Sequence, residues 1–493
     1  MYIIHLASEF SSIAKVGGLG DVTLGLSHAL TKRGEQTTVI LPFYDHINRN
    51  TLHDLQVEYE HLISYENGKK YKNRVWSTKV HDITILLIEL QNNYFKRGVI
   101  YGERDDTLRF VYFTYVAMEY LLQTNTHPNI LHLHDWHTAL AAPLYYGKYQ
   151  GLGVKIGGIV ITIHNIKYQG SCSPKILSHV GFDLTSLSTQ KALQDYKDHN
   201  KINLLKGGLL YSDGITTVSP SYAEEIQRKE EGGLSQYLRG RKNFIGILNG
   251  IDMQYWNPQT DPFLKQNYPS YPISFNKIRD AKKNNRTALN NILKTNYSPT
   301  TPLFACITRL VQQKGPKLIH FGIEYIIKKG GQFILLASTP EEDLKKNFFS
   351  LAEKYRTNPH FFFHPVFDER IAHLTFAASD CILIPSLFEP CGLTQMIALR
   401  YGTIPIVHAV GGLKDTIFDV DQDIYPLNQR NGYTFDCPAN KSLQNSIDRA
   451  LDHYHHDQKK WQCILNNGLS NDWSWTTPSM KYLALYEVVA KQH

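Results

Sequence analysis

Residues 2–22, YIIHLASEFSSIAKVGGLGDV, run from a strand-like segment through a glycine-rich loop into a helix-like segment. A strand, loop and helix in this order are typical of the start of a parallel α/β unit. Glycines let backbone N–H groups approach an anion, and the next helix offers the positive end of its dipole. The loop therefore predicts phosphate binding. It is not a P-loop, because no Gly-Lys-Ser/Thr follows, and Thr23 replaces the third glycine of the dinucleotide fingerprint.

Strand-like and helix-like segments alternate along the rest of the chain. The length of 493 residues predicts two domains of roughly 200–250 residues each. The alternation predicts an α/β fold with doubly wound parallel sheets. The strand-like segments include TTVILPF, NILHLH, GIVITIH and GITTVS in the first half and PLFACITRL, GQFILLAS, CILIPS and TIPIVHAV in the second.

The texture of the sequence changes after residue 252. Residues 252–300 are rich in proline and polar residues and end in a helix-like run at 276–293. We interpret this segment as a linker with a lead-in helix, which gives domains 1–252 and 253–473. Each domain opens with a strand and a loop that holds lysine and glycine. Two such domains facing one another predict a ligand in the deep cleft between them.

Composition excludes several classes of protein. Hydrophobic residues make up 42% of the chain and charged residues 20%, which argues against disorder. The net charge is +7, but the lysines and arginines are spread among acidic residues. We therefore expect no nucleic-acid partner. Six cysteines without a CxxC pair indicate reduced thiols. The N-terminus has no signal-peptide pattern and the apolar runs are strand-sized, so we expect a cytoplasmic protein without a membrane partner.

Histidines cluster at two predicted strand ends in the first domain. In HLHDWH (132–137), His132 and His134 share one face of a strand, whereas a helix beginning near Thr138 carries His137 elsewhere. Three readings stay open: a zinc site, polar groups that hold sugar hydroxyls through Asp135 and His137, or a loop that caps a helix. ITIHNIKYQG repeats the design with His164 and Asn165.

Two loops of the second domain also carry candidate chemistry, and a third resembles a metal-binding motif. Arg309 and Lys314 follow a strand and suit a diphosphate, because arginine forks across oxygens while lysine acts as a point charge. In IPSLFEPCGLTQMIALRYG, Glu389 precedes a helix whose first N–H groups point at an anion. Cys391 has no obvious base beside it, which disfavours a nucleophile. DVDQD (419–423) resembles a metal-binding motif but is interpreted as a solvated turn.

Taken together, these motifs resemble the ADP-glucose-using glycogen and starch synthases, which are retaining glycosyltransferases of GT-B fold. The resemblance spans nearly the whole chain in order. The segments that carry it are KVGGLGDV, HLHDWH, TIHNIKYQG, LKGGLLYSDGITTVSPSYAEEI, GILNGID with YWNPQTDP, ITRLVQQKG, PSLFEPCGLTQ, GGLKDT and the closing WSW with KYLALYE.

The resemblance implies roles for matched positions. Lys15, with Gly17 and Gly18, would meet the diphosphate and donor sugar, and Arg309 and Lys314 would neutralise the leaving diphosphate. Glu389 would be the acidic residue at the donor sugar. Three residues would hold the transferring glucose: Asp135, His164 and Asn249. The remaining substrate-binding positions are Asp21, His137, Asn165, Phe367 against adenine, Cys391, Gly392, and Leu393 and Thr394 at the phosphate.

The sequence departs from the family pattern at three positions. Val16 and Val410 replace the commoner threonines of the two glycine loops, and we expect both changes to be mild. Ile397 stands where the wider GT-B pattern has a second glutamate. The bacterial-type synthases share that loss, so it does not oppose the resemblance. The loss does weaken any role for a second carboxylate. The family's last helix returns to the first domain, which predicts that residues 474–493 do so here.

The implied reaction is transfer of glucose from ADP-glucose to the non-reducing end of an α-1,4-glucan with retention of configuration. No metal and no cofactor are expected. Three alternatives are an NAD-dependent oxidoreductase, which the missing GxGxxG opposes, a UDP-glucose-using GT-B enzyme, and a catalytically silent glucan-binding relative. The last is opposed by the intact lysines, Arg309 and Glu389. Bacterial cytosol is the expected compartment, with a plastid stroma as the alternative.

Overall fold

Two mainly parallel sheets, one in each half of the chain, form the framework of the computed structural model. The structure describes residues 1–182, 191–228, 233–269 and 271–491. Residues 1–250 and 475–493 form unit 1, and residues 251–474 form unit 2. Since each sheet belongs to one unit, each unit has its own core and its own set of strand ends.

Unit 1 contains a nine-stranded sheet in the order β11-β10-β7-β6-β1-β2-β5-β4-β3. All neighbouring pairs are parallel except β3 with β4 and β4 with β5, which are antiparallel. A separate two-stranded sheet pairs β8 with β9. The strands are β1 (Tyr2–Leu6), β2 (Gln36–Pro42), β3 (Gln56–Glu66), β4 (Lys69–Val80), β5 (Ile83–Glu89), β6 (Ile130–His134), β7 (Ile159–Ile163), β8 (Ser171–Cys172), β9 (Ile202–Asn203), β10 (Gly214–Thr217) and β11 (Phe244–Gly246).

The helices of unit 1 follow its strands, as a parallel sheet requires. Short 3-10 turns lie at Arg49–Thr51 and Pro174–Val180, and Tyr145–Tyr149 forms a π-helical turn. The α-helices are α1 (Gly18–Lys32), α2 (Asp106–Gln123), α3 (Trp136–Ala139), α4 (Ala141–Leu144), α5 (Leu204–Tyr211), α6 (Pro220–Arg228), α7 (Ser235–Leu238) and, at the end of the chain, α16 (Thr476–Ala490).

Unit 2 contains a six-stranded sheet in the order β14-β13-β12-β15-β16-β17 with every pairing parallel. Its strands are β12 (Leu303–Arg309), β13 (Gln332–Ser338), β14 (Phe361–His364), β15 (Cys381–Ile384), β16 (Ile404–His408) and β17 (Tyr433–Phe435). Its helices are α8 (Phe275–Leu293), α9 (Pro316–Lys328), α10 (Glu342–Lys354), α11 (Glu369–Ala378), α12 (Thr394–Arg400), α13 (Gly411–Thr416), α14 (Asn440–His456) and α15 (Gln458–Ser470). A 3-10 turn covers Gln312–Lys314.

The last helix, α16, completes the core of unit 1. Tyr482, Tyr486 and Val489 of this helix are buried with Ile3 of β1 and Leu26 of α1 in one apolar cluster. Glycines in the body of unit 1 make room for it. A Cβ at Gly158 would lie 2.2 Å from Val489, and one at Gly25 would lie 1.9 Å from Trp475. The first half of the chain therefore acquires its full core only from residues near position 480.

The segment after residue 252 is packed rather than a loose linker. Asp261 is buried, and its Oδ2 lies 2.7 Å from Nδ1 of His373 and accepts a hydrogen bond from the Tyr401 hydroxyl at 2.6 Å. The ring of Trp256 stacks on His373 with centroids 4.2 Å apart. The interpretation of this segment as a linker is wrong, because its polar residues serve as hydrogen-bond partners inside unit 2. The lead-in helix is confirmed as α8.

The interpretation of the DVDQD segment as a solvated turn is wrong for its first residue, Asp419, which is buried. Asp419 is 1% exposed and accepts hydrogen bonds from both ends of the Arg449 guanidinium and from the Thr434 backbone. Arg449 also pairs with Asp421 at 2.7 Å. These contacts hold the pKa of the Asp419 carboxyl below its usual value. The segment therefore fixes the region around β17 through an internal ion pair.

None of the helices in the described ranges combines the length and the apolar character that a membrane-crossing segment requires.

Candidate active site

The carboxyl ends of two neighbouring strands in unit 2 bring Lys314 and Glu389 into contact. Strand β12 ends at Arg309 and continues into the 3-10 turn that carries Lys314, while the chain leaving β15 reaches Glu389. Because β12 and β15 are parallel neighbours, both loops emerge at the same edge of the sheet. Nζ of Lys314 lies 2.5 Å from Oε2 of Glu389. The two residues that the sequence assigned to one site do meet.

Glu389 is held in place by more than its ion pair. The residue is 6% exposed, and its Oε2 also accepts a hydrogen bond of 2.8 Å from the Ser386 hydroxyl. His408 lies behind this contact, with Nδ1 2.7 Å from the Ser386 carbonyl oxygen. Sequence reasoning missed Ser386, although its place three residues before the glutamate in PSLFEP was a usable signal. A buried carboxylate with two donors has a fixed direction.

The glycine pair after β16 is required by close packing. A Cβ at Gly411 would lie 2.0 Å from the Glu389 carbonyl oxygen, and one at Gly412 would lie 2.1 Å from the Cys391 carbonyl oxygen. The Gly412 N–H donates to the Glu389 carbonyl at 3.0 Å. Gly411 and Gly412 therefore let helix α13 press directly against the loop that carries the glutamate. In the same way, Gly315 adopts φ +68° beside the Pro385 carbonyl.

The loop between Glu389 and helix α12 is anchored by Gln395. Its Nε2 donates to the carbonyls of Cys391 and Gly392 at 3.1 and 2.9 Å and to the Thr416 hydroxyl at 3.1 Å. Leu393 is the N-cap of α12, and the helix begins at Thr394. Cys391 is 6% exposed and stays a small buried side chain of the loop. The loop geometry is thus set from inside unit 2.

Arg309 and Phe367 are the exposed members of the predicted set in unit 2. Arg309 is exposed at the end of β12, and within the described residues its guanidinium makes no hydrogen bond or ion pair. Phe367 is 61% exposed in the loop between β14 and α11. The next residue, Asp368, caps α11 by accepting from the Ile371 N–H. A cation and an aromatic face are therefore free to meet a ligand.

In unit 1, the glycine-rich loop already holds an anion, which is a carboxylate of the chain itself. Oε2 of Glu9 accepts hydrogen bonds from the N–H groups of Val16 and Gly17 at 2.6 and 2.8 Å. Lys15 pairs with Asp21 at 2.7 Å. The Gly17 N–H, which we expected to face phosphate, is engaged by Glu9 in this structure, and Gly18 is the first residue of α1.

Glu9 is a buried residue that sequence reasoning missed. It is 3% exposed, and its Oε1 accepts a hydrogen bond of 2.8 Å from the Tyr101 hydroxyl. That hydroxyl also lies 2.7 Å from the Ser8 hydroxyl. The available signal was a carboxylate shortly after an apolar strand that ends at Leu6, and before a loop rich in backbone donors. Glu9 fixes the shape of the loop that presents Lys15.

Asp135 has a strained backbone and a buried carboxylate. Its φ of +57° with ψ of −171° lies in a region that only glycine enters readily. Oδ1 accepts the His164 N–H at 2.7 Å and the Asn165 N–H at 3.4 Å. Burial raises the pKa of Asp135 to about 7, against the opposite effect of these donors. The contact links the ends of β6 and β7, so Asp135, His164 and Asn165 form one cluster.

His137 and Asn249 lie apart from that cluster's hydrogen bonds. The His137 ring packs on Trp136, with centroids 4.1 Å apart, and on Phe110, with centroids 4.8 Å apart. Asn249 is 5% exposed, and its Oδ1 has no partner among the described residues. A buried oxygen without a donor is costly unless a ligand or water supplies one. Asn249 therefore has the character of a binding residue. Nδ1 of His137 is likewise buried without a partner among the described residues, so this side chain also keeps a polar atom for a ligand or water although its ring packs on aromatic neighbours.

A chain with two such sheets and strand-end clusters is similar to known glycosyltransferases. Residues 2–240 match the family described as the starch synthase catalytic domain, and residues 290–462 match the glycosyl transferases group 1. A sucrose-phosphate synthase from Thermosynechococcus elongatus, with 17% identity and a TM-score of 0.62 over 100% of this chain and 99% of that one, shares the fold alone. The protein is a glycosyltransferase of GT-B fold.

Relatives that match along the whole of this chain identify its family within the glycosyltransferases. The chain is 42% identical over 500 residues to a glycogen synthase of Protochlamydia amoebophila, covering 100% of each. It is 41% identical to a probable starch synthase 4 of Arabidopsis thaliana, covering 99% of this chain and 47% of that protein. The structure of the Arabidopsis starch synthase IV catalytic domain bound to ADP and acarbose matches with TM-score 0.94 and 40% identity over 99% of both chains. This chain belongs to the glycogen and starch synthase family, whose members transfer glucosyl units in glycogen or starch synthesis.

Proposed function

We propose that this protein transfers glucose from ADP-glucose to the non-reducing end of an α-1,4-glucan with retention of configuration. The observation that carries the proposal is the contact between Lys314 and the buried Glu389 at the strand ends that also present Arg309. Family membership supports a nucleotide-sugar donor and a glucan acceptor. The related structure bound to ADP and acarbose supports adenine as the base of the donor.

The cationic side chains of unit 2 are assigned to the diphosphate. Arg309 has no competing ion pair in the described part of the chain, and Lys314 is available once it exchanges Glu389 for a more highly charged ligand. A fixed guanidinium and an ammonium stabilise the negative charge that grows on the leaving diphosphate. Phe367 supplies an exposed ring for the adenine. Backbone N–H groups at Leu393 and Thr394 are assigned to the phosphate.

Glu389 is assigned to the donor sugar rather than to nucleophilic attack. Its carboxylate is held by Lys314 and Ser386, which fixes the direction of the group. A carboxylate in that state stabilises positive charge at the anomeric carbon as the bond to the diphosphate breaks. Cys391 stays in the loop as a packing residue.

The cluster of unit 1 is assigned to the sugar that is transferred. Asp135, His164 and Asn249 bring one carboxylate, one imidazole and one buried amide oxygen to sugar hydroxyls. Lys15 is assigned to the same donor, and Asn165 and Asp21 support their neighbours. Orientation by several fixed groups lowers the entropic part of the barrier.

The glucosyl transfer proceeds without a covalent enzyme intermediate. The bond between the anomeric carbon and the diphosphate oxygen breaks, and a bond to the acceptor hydroxyl forms on the same face. The proton of that hydroxyl passes to a diphosphate oxygen of the departing ADP. The side chains of this chain position the reactants and stabilise charge.

A donor comparison tests the proposal. Purified protein is given glycogen with ADP-glucose or with UDP-glucose, and incorporation of labelled glucose is measured. We expect kcat/KM to be larger for ADP-glucose. A preference for UDP-glucose would make the chain a UDP-glucose-using glycosyltransferase. No incorporation from either donor would leave only glucan binding. Phe367→Ala should raise the donor KM, with the exposed Phe349→Ala as a matched control in the same unit.

The proposed compartment is a bacterial cytosol. The six cysteines are all free in the structure, which suits a reducing environment. Cell fractionation with an antibody against the chain tests this assignment, and recovery in a membrane or secreted fraction would contradict it.

A further inference from the structure

Three histidines of unit 1 form a line of hydrogen bonds that ends at His164. His5 belongs to β1, His134 is the last residue of β6, and His164 directly follows β7. Nδ1 of His5 lies 3.1 Å from Nε2 of His134, and Nδ1 of His134 lies 3.0 Å from Nε2 of His164. The inner two residues are fully buried.

The sheet register explains why the three rings meet. His5 is the partner of His132 across β1 and β6, and His134 is the partner of Thr162 across β6 and β7. His134 lies two residues beyond His132, and His164 lies two residues beyond Thr162. Since side chains two residues apart share a face, the line climbs one step per strand toward the carboxyl edge of the sheet.

All three rings are neutral at physiological pH. Burial lowers the pKa of His5 and of His164 to about 3, and it lowers the pKa of His134 well below its usual value. A neutral imidazole has one N–H and one bare nitrogen. Fixing the proton on one ring therefore fixes it on the next, so the line has only two possible directions.

The inner end of the line selects between the two directions. Nε2 of His5 is buried and has no hydrogen-bond partner among the described residues. If protons point inward along the line, this nitrogen is an N–H without an acceptor. If they point outward, it is a bare nitrogen without a donor. Orphaned buried N–H groups are the rarer case in proteins, so the outward direction is favoured.

We propose that His5 and His134 are positioning residues that hold His164 as its Nδ1–H tautomer, so that His164 donates a hydrogen bond to an oxygen of the transferring sugar and does not act as a base. The sugar contact rests on the proposed function, whereas the tautomer is a property of the free protein. Nδ1 of His164 has no hydrogen-bond partner in the described part of the chain and is available for this donation.

The alternative for this cluster is a metal ion. His5, His132 and His134 each bring one nitrogen into a group whose members lie within 4.8 Å of one another. His132, however, uses both nitrogens: Nδ1 lies 2.7 Å from the Tyr486 hydroxyl and Nε2 lies 2.6 Å from the Thr162 hydroxyl. A metal would have to break one of these bonds, which favours the hydrogen-bonded line.

The tautomer is measured directly in the free protein. Deuterated protein with ¹⁵N-labelled histidine is examined by long-range ¹H–¹⁵N correlation at pH 7.5, and His164 is assigned by the signals lost in His164→Gln. We expect a protonated Nδ1 and a bare Nε2. A protonated Nε2, a mixture of tautomers, or one equivalent of bound metal by elemental analysis would overturn the proposal.

Two substitutions of His134 test the positioning role. His134→Asn keeps an N–H donor near the position of Nδ1, whereas His134→Leu removes it. We expect the Leu variant to lose the single His164 tautomer and about 10–100-fold in kcat, with little change in donor KM, and the Asn variant to keep both. Equal tautomer signals and equal kcat in the two variants would contradict the role.

A control separates this effect from loss of stability. Tyr486→Phe removes a buried hydrogen bond to His132, which is outside the line, and should leave the His164 signals unchanged. If that variant also scrambles the tautomer, the line is not the cause. A protein that shows the Nδ1–H tautomer but transfers no glucose would refute the proposed function and leave the tautomer assignment in place.

Discussion

At the residue scale, the site depends on carboxylates whose surroundings differ. Glu389 is paired with Lys314 and Ser386, and Glu9 with backbone N–H groups and Tyr101. Asp135 accepts from the backbone N–H groups of His164 and Asn165. The first is fixed by a cation, which suits charge stabilisation. The second shapes a loop. The third has a strained backbone, and burial raises its pKa to about 7.

Removing charge at the unit 2 cluster should slow transfer without unfolding the protein. Glu389→Ala and Arg309→Ala should each lose roughly 3–4 kcal/mol of transition-state stabilisation, a fall in kcat on the order of 10²–10³. The measurement is steady-state kinetics with ADP-glucose and glycogen. Lys317→Ala, outside the proposed site, serves as the control. Near-normal turnover in the Glu389 variant would sink its proposed role.

Removing the Glu9 carboxylate should loosen the glycine-rich loop. In Glu9→Gln, one amide oxygen still accepts, but two N–H groups and the Tyr101 hydroxyl compete for a neutral partner. Since hydrogen bonds to charged groups are worth about 1.5–3 kcal/mol, we expect faster amide exchange at Val16 and Gly17 and a higher donor KM. Unchanged exchange protection would show that Glu9 does not hold the loop.

At the element scale, loops are placed by close contacts between backbones. Helix α13 rests against the loop that carries Glu389 because Gly411 and Gly412 have no side chains. The turn after β12 depends on Gly315 in the same manner. The structure thus gives Gly315, Gly411 and Gly412 a packing role.

Adding one methyl group at Gly411 should displace the glutamate loop. The Cβ of Gly411→Ala would clash with the Glu389 carbonyl at a φ of +46°. We expect a loss of stability of about 1–3 kcal/mol with a larger loss of kcat, measured by urea unfolding and kinetics. Gly330→Ala is the control, because it has a similar left-handed φ of +83° and open space around it. If both variants behave alike, contact with the loop is not the cause.

At the scale of the whole molecule, the two ends of the chain meet in unit 1. Helix α16 packs against the first strand and the first helix, and its Tyr486 hydroxyl contacts the buried His132. Arg33 donates hydrogen bonds to the Ser479 hydroxyl and the Thr476 carbonyl. Unit 1 therefore depends on residues that follow unit 2 along the sequence.

Truncation after Ser474 should destabilise unit 1 in preference to unit 2. The deletion exposes the apolar surface that Tyr482, Tyr486 and Val489 cover. We expect native-state hydrogen exchange to rise across β1, β6 and α1 while α8 and β12 stay protected. Protection that is unchanged in β1 and β6 would contradict the role of the last helix.

Acid should destabilise unit 1 through its buried histidines. Burial lowers the pKa of His5, His137 and His164 to about 3. Between pH 6.5 and 3 the unfolded chain binds protons that the folded chain does not, so stability falls as the pH falls. At pH 5 each of these histidines lowers the free energy of unfolding by about 2 kcal/mol relative to pH 7.5. Asp135, whose pKa is raised to about 7, stabilises the folded chain as the pH falls. Its contribution offsets roughly that of one histidine.

Urea unfolding at pH 7.5 and pH 5.0 checks this dependence. We expect the free energy of unfolding to be lower at pH 5.0 by several kcal/mol. His137→Gln removes one buried titrating ring and should reduce the difference between the two pH values by about 2 kcal/mol. Equal stability at both pH values in the parent protein would show that the histidines are not held neutral.

The fold class and the family were predictable from the sequence, because apolar strand-like segments, glycine-rich turns and ordered motifs are local features. The family resemblance assigned Lys314 to the diphosphate and Glu389 to the donor sugar, and the direct contact between them is a finding of the structure. The partners of the buried polar groups are visible only in the folded chain. Three of these contacts join residues that are separated along the sequence. They are Glu9 with the glycine-rich loop, Asp419 with Arg449, and the line from His5 to His164. Their partners depend on register and packing, which no local pattern encodes.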